Sequence, residues 1–200
     1  VCPFNPAPVE AVKDETAIAD IFLSNGTEVH DKLGRLIGIY AAYSEEFRST
    51  SSSGGIGTYI FDQLLDRGIV DHVFSVRSSD EASTHYEYKV SSSKQDLRDS
   101  SRTKYYPVTL ATVLPQIDRL EGKVAIVGVA CFVKAIRLAQ YHDPILKEKI
   151  PFIAGIICGG VKSKFFTEYL ASKAGADYDN IQSPNYRIKD IISTASDYSF

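Results

Sequence analysis

Three stretches of the chain combine residue types that can do chemistry with positions that let them do it. The first is Ser51-Ser-Ser-Gly-Gly-Ile-Gly-Thr58, a flexible loop that opens a helical pattern. Such a junction puts bare backbone N–H groups and the positive end of a helix dipole at one point, which is a cradle for phosphate. Gly54, Gly55 and Gly57 let the backbone come close to an anion, and the hydroxyls of Ser52, Ser53 and Thr58 add donors. No Walker lysine follows and no G-x-G-x-x-G is present, so ATP and ordinary dinucleotide readings are weak. A plain Ser/Gly turn accounts for the loop equally well.

The second and third stretches are Gly128-Val-Ala-Cys131 and Ile156-Ile-Cys158-Gly-Gly160. Each ends an apolar run and precedes a helical pattern, the place where open α/β folds bind ligands. A thiol at a helix N-terminus has a lowered pKa, suited to metal ligation, nucleophilic attack or redox exchange. Cysteine is also a good small buried hydrophobe. Neighbouring strands would bring Cys131 and Cys158 close enough to share a metal centre, although two ligands do not complete one. The remaining cysteine, in Cys2-Pro3, matches the end of the ferredoxin run C-x2-C-x2-C-x3-C-P. Lys104-Tyr-Tyr-Pro107 sets a cation beside aromatic rings, where Lys104 and Tyr105 can hold a phosphate or stack a flat ring, or simply form a turn. The histidines, at positions 30, 72, 85 and 142, have no ligand spacing. A cysteine hydrolase built on Cys131 lacks a placed base, since His142 lies eleven positions along the same expected helix.

The elements that must carry these residues follow from apolar periodicity. Val1 to Asp14, with three prolines, is expected to be extended, and Glu15 to Leu23 to be a short helix. Leu36 to Tyr43, rich in β-branched and aromatic residues, reads as a strand leading into the Ser/Gly loop, and Thr58 to Leu65 as the helix after it. Strands are expected at Ile69 to Val76 and His85 to Val90, then a mobile polar connection from Ser91 to Arg102. Val108 to Leu120 reads as helix despite Pro115. The runs Lys123 to Ala130 and Ile150 to Cys158 are apolar without alternation, as strands buried on both faces are. Helices at Cys131 to Tyr141 and Ser163 to Ala174 follow them, the latter with Phe165, Phe166, Tyr169 and Leu170 on its apolar face. Alternating strands and helices predict an α/β layered fold with a mainly parallel central sheet flanked by helices.

The 200 residues are 44% hydrophobic and 24% charged, enough for one sizeable α/β domain. A net charge of -3 offers no general attraction for nucleic acid or an anionic membrane. No apolar run approaches the roughly 20 residues that span a bilayer, and a basic-then-apolar secretion signal is lacking, so the expected setting is cytoplasmic. An odd number of cysteines argues for free or metal-bound thiols over a disulfide framework. The chain opens at Val1 and contains no methionine, as expected of an excerpt from a longer polypeptide.

In order and spacing, these stretches resemble the coenzyme F420 hydrogenase/dehydrogenase beta-subunit family. The resemblance is carried by Val1-Cys-Pro-Phe4, Ser52 to Thr58 with Gly68-Ile-Val-Asp71, Lys104-Tyr-Tyr-Pro107, Lys123 to Cys131, Gly155 to Gly160 and Tyr186-Arg-Ile-Lys189. It implies a flavin-dependent oxidoreductase that passes electrons between a deazaflavin or similar hydride carrier, FAD and a 4Fe-4S cluster. FAD would lie on Ser52, Ser53, Gly54, Gly55, Gly57, Thr58, Lys104, Tyr105 and Gly128. Cys131 and Cys158 match cluster-ligand positions, and Cys2 would end an upstream ferredoxin-like module. Residues 1–30 would then be a lead-in from that module and 31–200 a flavin-binding α/β domain, truncated at its C-terminal end with an incomplete ligand set. Implied partners are a small-molecule redox substrate and an electron-transfer protein or subunit; coenzyme F420 itself is a candidate cofactor, and a homo-oligomer is compatible with all of this. A non-catalytic nucleotide-binding or docking module is the alternative. Where the family often has Pro-Cys-Gln, this chain has Ala130-Cys131-Phe132.

Overall fold

The computed structural model describes residues 12, 14–81, 83–190, 197, 199 and 200. Cys2 and the expected proline-rich lead-in fall outside the described residues. A short helix α1 (Glu15–Phe22), capped by the Asp14 side chain on the Ala17 N–H at 2.9 Å, precedes a small antiparallel hairpin of β1 (Glu28–His30) and β2 (Gly34–Leu36). The expected strand from Leu36 to Tyr43 does not form beyond β2. Residues 37–43 have no regular structure and leave Ile37, Ile39, Tyr40 and Tyr43 exposed. Strand propensity describes fitting a half-buried pleated surface, and no sheet partner meets these side chains.

The domain proper is a four-stranded sheet in the order β4-β3-β5-β6, built from β3 (His72–Ser78), β4 (Tyr86–Ser91), β5 (Val124–Val129) and β6 (Phe152–Ile156). β3, β5 and β6 are parallel, and β4 is an antiparallel edge strand joined to β3 by a hairpin. The unalternating run of β5 has its physical cause here. Val124 and Ile126 point into one core with Phe74, Ile136 and Ile150, while Ala125 and Val127 point into the other with Phe61, Leu64 and Leu97.

Helices α2 (Ile56–Asp66) and α3 (Lys94–Ser100) cover the second core. Helices α4 (Val113–Arg119), α5 (Ala130–His142) and α6 (Pro144–Lys149) cover the first. The architecture is thus a mixed α/β sandwich with a mostly parallel sheet. The polar stretch 91–102 is not a loop throughout, because Ser93 caps α3 on the Asp96 N–H and returns a bond to the Asp96 carboxylate. Pro115 sits in the first turn of α4, where no helical N–H is lost, so α4 begins at Val113 and not at Val108. Helix α7 (Lys164–Lys173) packs through Thr167 and Ala171, whereas Phe165 and Tyr169 stand exposed; the apolar face expected from the sequence is only half used.

Gly55 is the backbone position on which the start of α2 depends. Its φ is +78°, and a Cβ there would stand 2.7 Å from the carbonyl carbon of Phe47 and 2.8 Å from the Arg48 nitrogen. Gly68, after α2, also has positive φ (+61°) but open space around it. Gly55→Ala is therefore expected to cost more than about 2 kcal/mol and Gly68→Ala about 1 kcal/mol. Thermal melts of the two variants check this ordering.

Candidate active site at the carboxyl edge of the sheet

Topology places the chemistry-bearing stretches on one edge. Helix α2 ends just before the amino end of β3, so its N-terminus, with the Ser/Gly loop, lies toward the carboxyl end of that strand. Helix α3 leaves the Ser91 end of β4, which pairs with Val73, and runs back to the same edge. The strands β5 and β6 are in register with Val129 opposite Ile156, so Cys131 and Cys158 each lie two residues beyond the same edge.

The loop is held by hydrogen bonds. Ser44 N–H donates to the Gly54 carbonyl at 2.8 Å, Ser52 Oγ accepts from the Thr103 N–H at 3.0 Å, and Thr58 Oγ1 meets Ser101 Oγ at 3.2 Å. No side chain caps α2, whose first turn carries Gly57, where an added Cβ would meet nothing within 4 Å. Ser51 Oγ is buried with no hydrogen-bond partner. The arrangement presents helix-end N–H groups beside hydroxyls, which is what an anion requires.

Segment 101–106 links the two faces. It leaves α3 on the α2 side and crosses the edge to the α4 and α5 side, where Tyr86 and Tyr88, two apart on β4, are both buried. Lys104 marks the crossing. Its ammonium donates to the carbonyls of Ser100 (3.4 Å), Ser101 and Arg102 (3.3 Å) and lies 5.8 Å from the centre of the Tyr86 ring. Burial, followed by the charge of Arg102, pushes its pKa down to about 8 from 10.5, against the opposing charge of Asp99. Tyr105 packs edge-on against Phe166 and Tyr186. A cavity of about 370 Å³ opens beside these residues, lined by Thr50, Arg98, Ser101, Arg102, Lys104 and Asn185 among others.

Sequence reasoning missed Arg98 and Arg102 in this cavity. Ser93-x-x-Asp96 was the available signal, since a capped α3 fixes where Arg98 points. Arg98 donates to Glu46 at 2.8 Å, and Arg102 adopts φ +72°, a conformation unusual for a residue with a side chain.

The structure brings Ser52, Ser53, Thr58, Lys104 and the loop glycines together, with Tyr105 next to Lys104 on the crossing segment, whereas Gly128 and Cys131 lie on the Tyr88 side of the sheet. Gly128 serves packing: a Cβ there would stand 3.0 Å from Phe132 Cβ and 3.6 Å from Tyr88 Oη. Tyr88 Oη donates to the Val127 carbonyl at 2.8 Å, and burial, with the nearby Cys131 thiol, raises its pKa. Cys131 is a half-buried free thiol. Cys158 is exposed, its sulfur accepting the Gly160 N–H at 3.3 Å. Among the described residues no three His, Cys, Asp or Glu side chains are grouped to hold a metal ion. His142 ends α5 about 16 Å along the helix from Cys131, which rules it out as that thiol's base. His72 is occupied structurally, by Ser92 Oγ and the Glu121 carbonyl.

A mostly parallel sheet covered by helices on both faces, with the Ser/Gly loop and the two thiols at its carboxyl edge, defines a mixed α/β domain. Two family models place it further. The model for the N-terminal part of coenzyme F420 hydrogenase/dehydrogenase beta subunits matches residues 39–115, and that for the C-terminal part matches 121–199. The chain belongs to this family of oxidoreductase subunits. Its fold is similar to that of a chain in the xenon-derivatised F420-reducing NiFe hydrogenase complex of Methanosarcina barkeri, with a TM-score of 0.60 and 21% identity. The match covers 73% of this chain and 54% of the length of that one. No curated protein sequence matches the chain. Among the described residues no helix is long and apolar enough to cross a membrane.

Lys104 makes a pH prediction. Its folded-state pKa of about 8 lies below the unfolded 10.5, so between these values the folded chain holds fewer protons and its stability rises with pH. The cost of the buried ammonium is complete below about pH 8 and fades toward pH 10.5. Relative to Lys104→Met, the wild-type chain should gain about 2 kcal/mol between about pH 7 and pH 10, read from urea unfolding at both.

Proposed function

We propose that this chain is the flavin-holding part of a cytoplasmic electron-transfer oxidoreductase, and that the anionic end of FAD binds at the entrance to α2. The observation that carries the reading is the junction of the uncapped α2 N-terminus with segment 101–104, joined through Ser52 to Thr103 and Thr58 to Ser101. In this reading the N–H groups of Ser52 to Thr58 bind phosphate oxygens, and Lys104 and the cavity arginines supply positive charge where burial strengthens it. Tyr105, already fixed edge-on by Phe166 and Tyr186, offers an aromatic surface to a flat ring.

When bound, a flavin takes up a hydride from a carrier and releases the two electrons singly. The family supports a deazaflavin such as coenzyme F420, or a similar small-molecule carrier, as the hydride partner. It also supports a second protein or subunit as the electron partner, as the complex from Methanosarcina barkeri contains several. For a 4Fe-4S cluster the described residues do not suffice. Cys131 and Cys158 would give two thiolates at one sheet edge, and the others must come from residues not described here.

Gly57→Asp tests the cradle without disturbing the fold. The new side chain meets open space and its charge suits a helix first turn, so stability should hold or rise slightly. The same charge opposes a phosphate, so FAD affinity, measured by flavin fluorescence, should fall at least about tenfold. Undiminished binding in this variant would place the flavin elsewhere. Anaerobic purification of the full-length protein should give flavin absorbance, and iron in an amount that drops when Cys131 and Cys158 are changed to serine. Bound flavin that no hydride carrier reduces would favour a non-catalytic module.

A further inference from the structure

The segment Tyr186-Arg-Ile-Lys189 reaches the Ser/Gly loop through Lys189, which lies 136 positions from Ser53 in sequence. Tyr186 anchors it. That ring is 2% exposed, packs against Tyr86, Tyr105 and Phe200, and its hydroxyl bonds to Thr167 of α7. From this anchor Lys189 reaches the loop and donates its ammonium to the carbonyls of Arg48, at 3.1 Å, and Ser53.

We infer that Lys189 is a positioning residue for the phosphate loop, acting through the two carbonyls it holds. This rests on the flavin reading above. In a trans peptide the C=O and the following N–H point in opposite directions, and the described backbone contains no cis bond. Drawing the Arg48 and Ser53 carbonyls to Lys189 therefore turns the N–H groups of Ser49 and Gly54 to the side away from it. Gly54's own carbonyl is taken by Ser44, which in the same way orients the Gly55 N–H. An anion approaching the loop would otherwise meet loop carbonyls, whose partial negative charge opposes it. The ammonium thus does not bind the phosphate; it removes the repelling dipoles and presents the attracting ones.

The test uses the whole chain, FAD as the probe, and the variants Lys189→Ala and Lys189→Arg. Lys189→Ala should weaken FAD binding about tenfold, the scale of a lost charge-assisted bond, and speed amide exchange over 48–57 in the free protein. Lys189→Arg, which can still reach both carbonyls, should restore most of both. FAD affinity in Lys189→Ala equal to that of the wild type overturns the inference. If the wild-type chain binds no FAD, the flavin reading fails separately and the exchange comparison decides alone: faster exchange in Lys189→Ala upholds the clasp, and unchanged exchange overturns it.

Discussion

The contact on which the functional edge of this protein depends is that of one peptide plane with one glycine. The Phe47–Arg48 peptide lies against the Cα of Gly55, closer than any side chain would allow, in a conformation that side chains resist. The contact turns the chain into α2 with its first N–H groups free of side-chain caps and sets Phe47 into the protein, fully buried. The bond from Ser44 to the Gly54 carbonyl and that from Arg48 N–H to the Ser44 carbonyl then fix the loop's curvature. Without that approach, the hydroxyls of Ser52 and Thr58 would not meet the segment after α3.

The second constraint is the crossing of residues 101–106 over the sheet edge. Helices α2 and α3 pack on one face and α4 to α6 on the other, so the chain must pass over an edge, and it does so where the parallel strands end. That passage makes one cavity out of residues from several elements and buries Lys104 at its wall. The same sheet order sets Cys131 and Cys158 just beyond the ends of the adjacent strands β5 and β6, beside Tyr88 and in solvent respectively. Cys131 thus shares an edge with the Ser/Gly loop and lies on the other face of the sheet from it.

Much of this was legible in the sequence, and the failures have identifiable causes. The runs through Val124 to Val129 and Phe152 to Ile156 showed no alternation because both faces are covered, and that alone announced parallel strands under helices. The Ser/Gly loop was visible as a strand-to-helix type of junction, although the strand expected before it is absent: Leu36 to Tyr43 has the composition of a strand with nothing to pair to. Local polarity hid α3, yet the Ser93 and Asp96 pair was a helix start in plain view. Asp143-Pro144 likewise marked α6, with Asp143 capping Ile145 and Leu146. Long-range contacts carried no local signal. Nothing near Lys189 in sequence reveals Ser53, and nothing near Arg102 reveals Thr50. The family resemblance, resting on motif order, reached further than periodicity did, and the two family models agree with it over residues 39–115 and 121–199.

The central claim is that the entrance to α2 receives the anionic part of a flavin. Its most direct test is to follow the backbone amide resonances of the isotope-labelled chain as FAD is added. The account predicts the largest shifts at Ser52 to Thr58 and at Thr103 to Tyr105. Shifts centred instead on the smaller aromatic cavity of His85, Tyr106 and Tyr178, with the Ser/Gly loop unmoved, would contradict it.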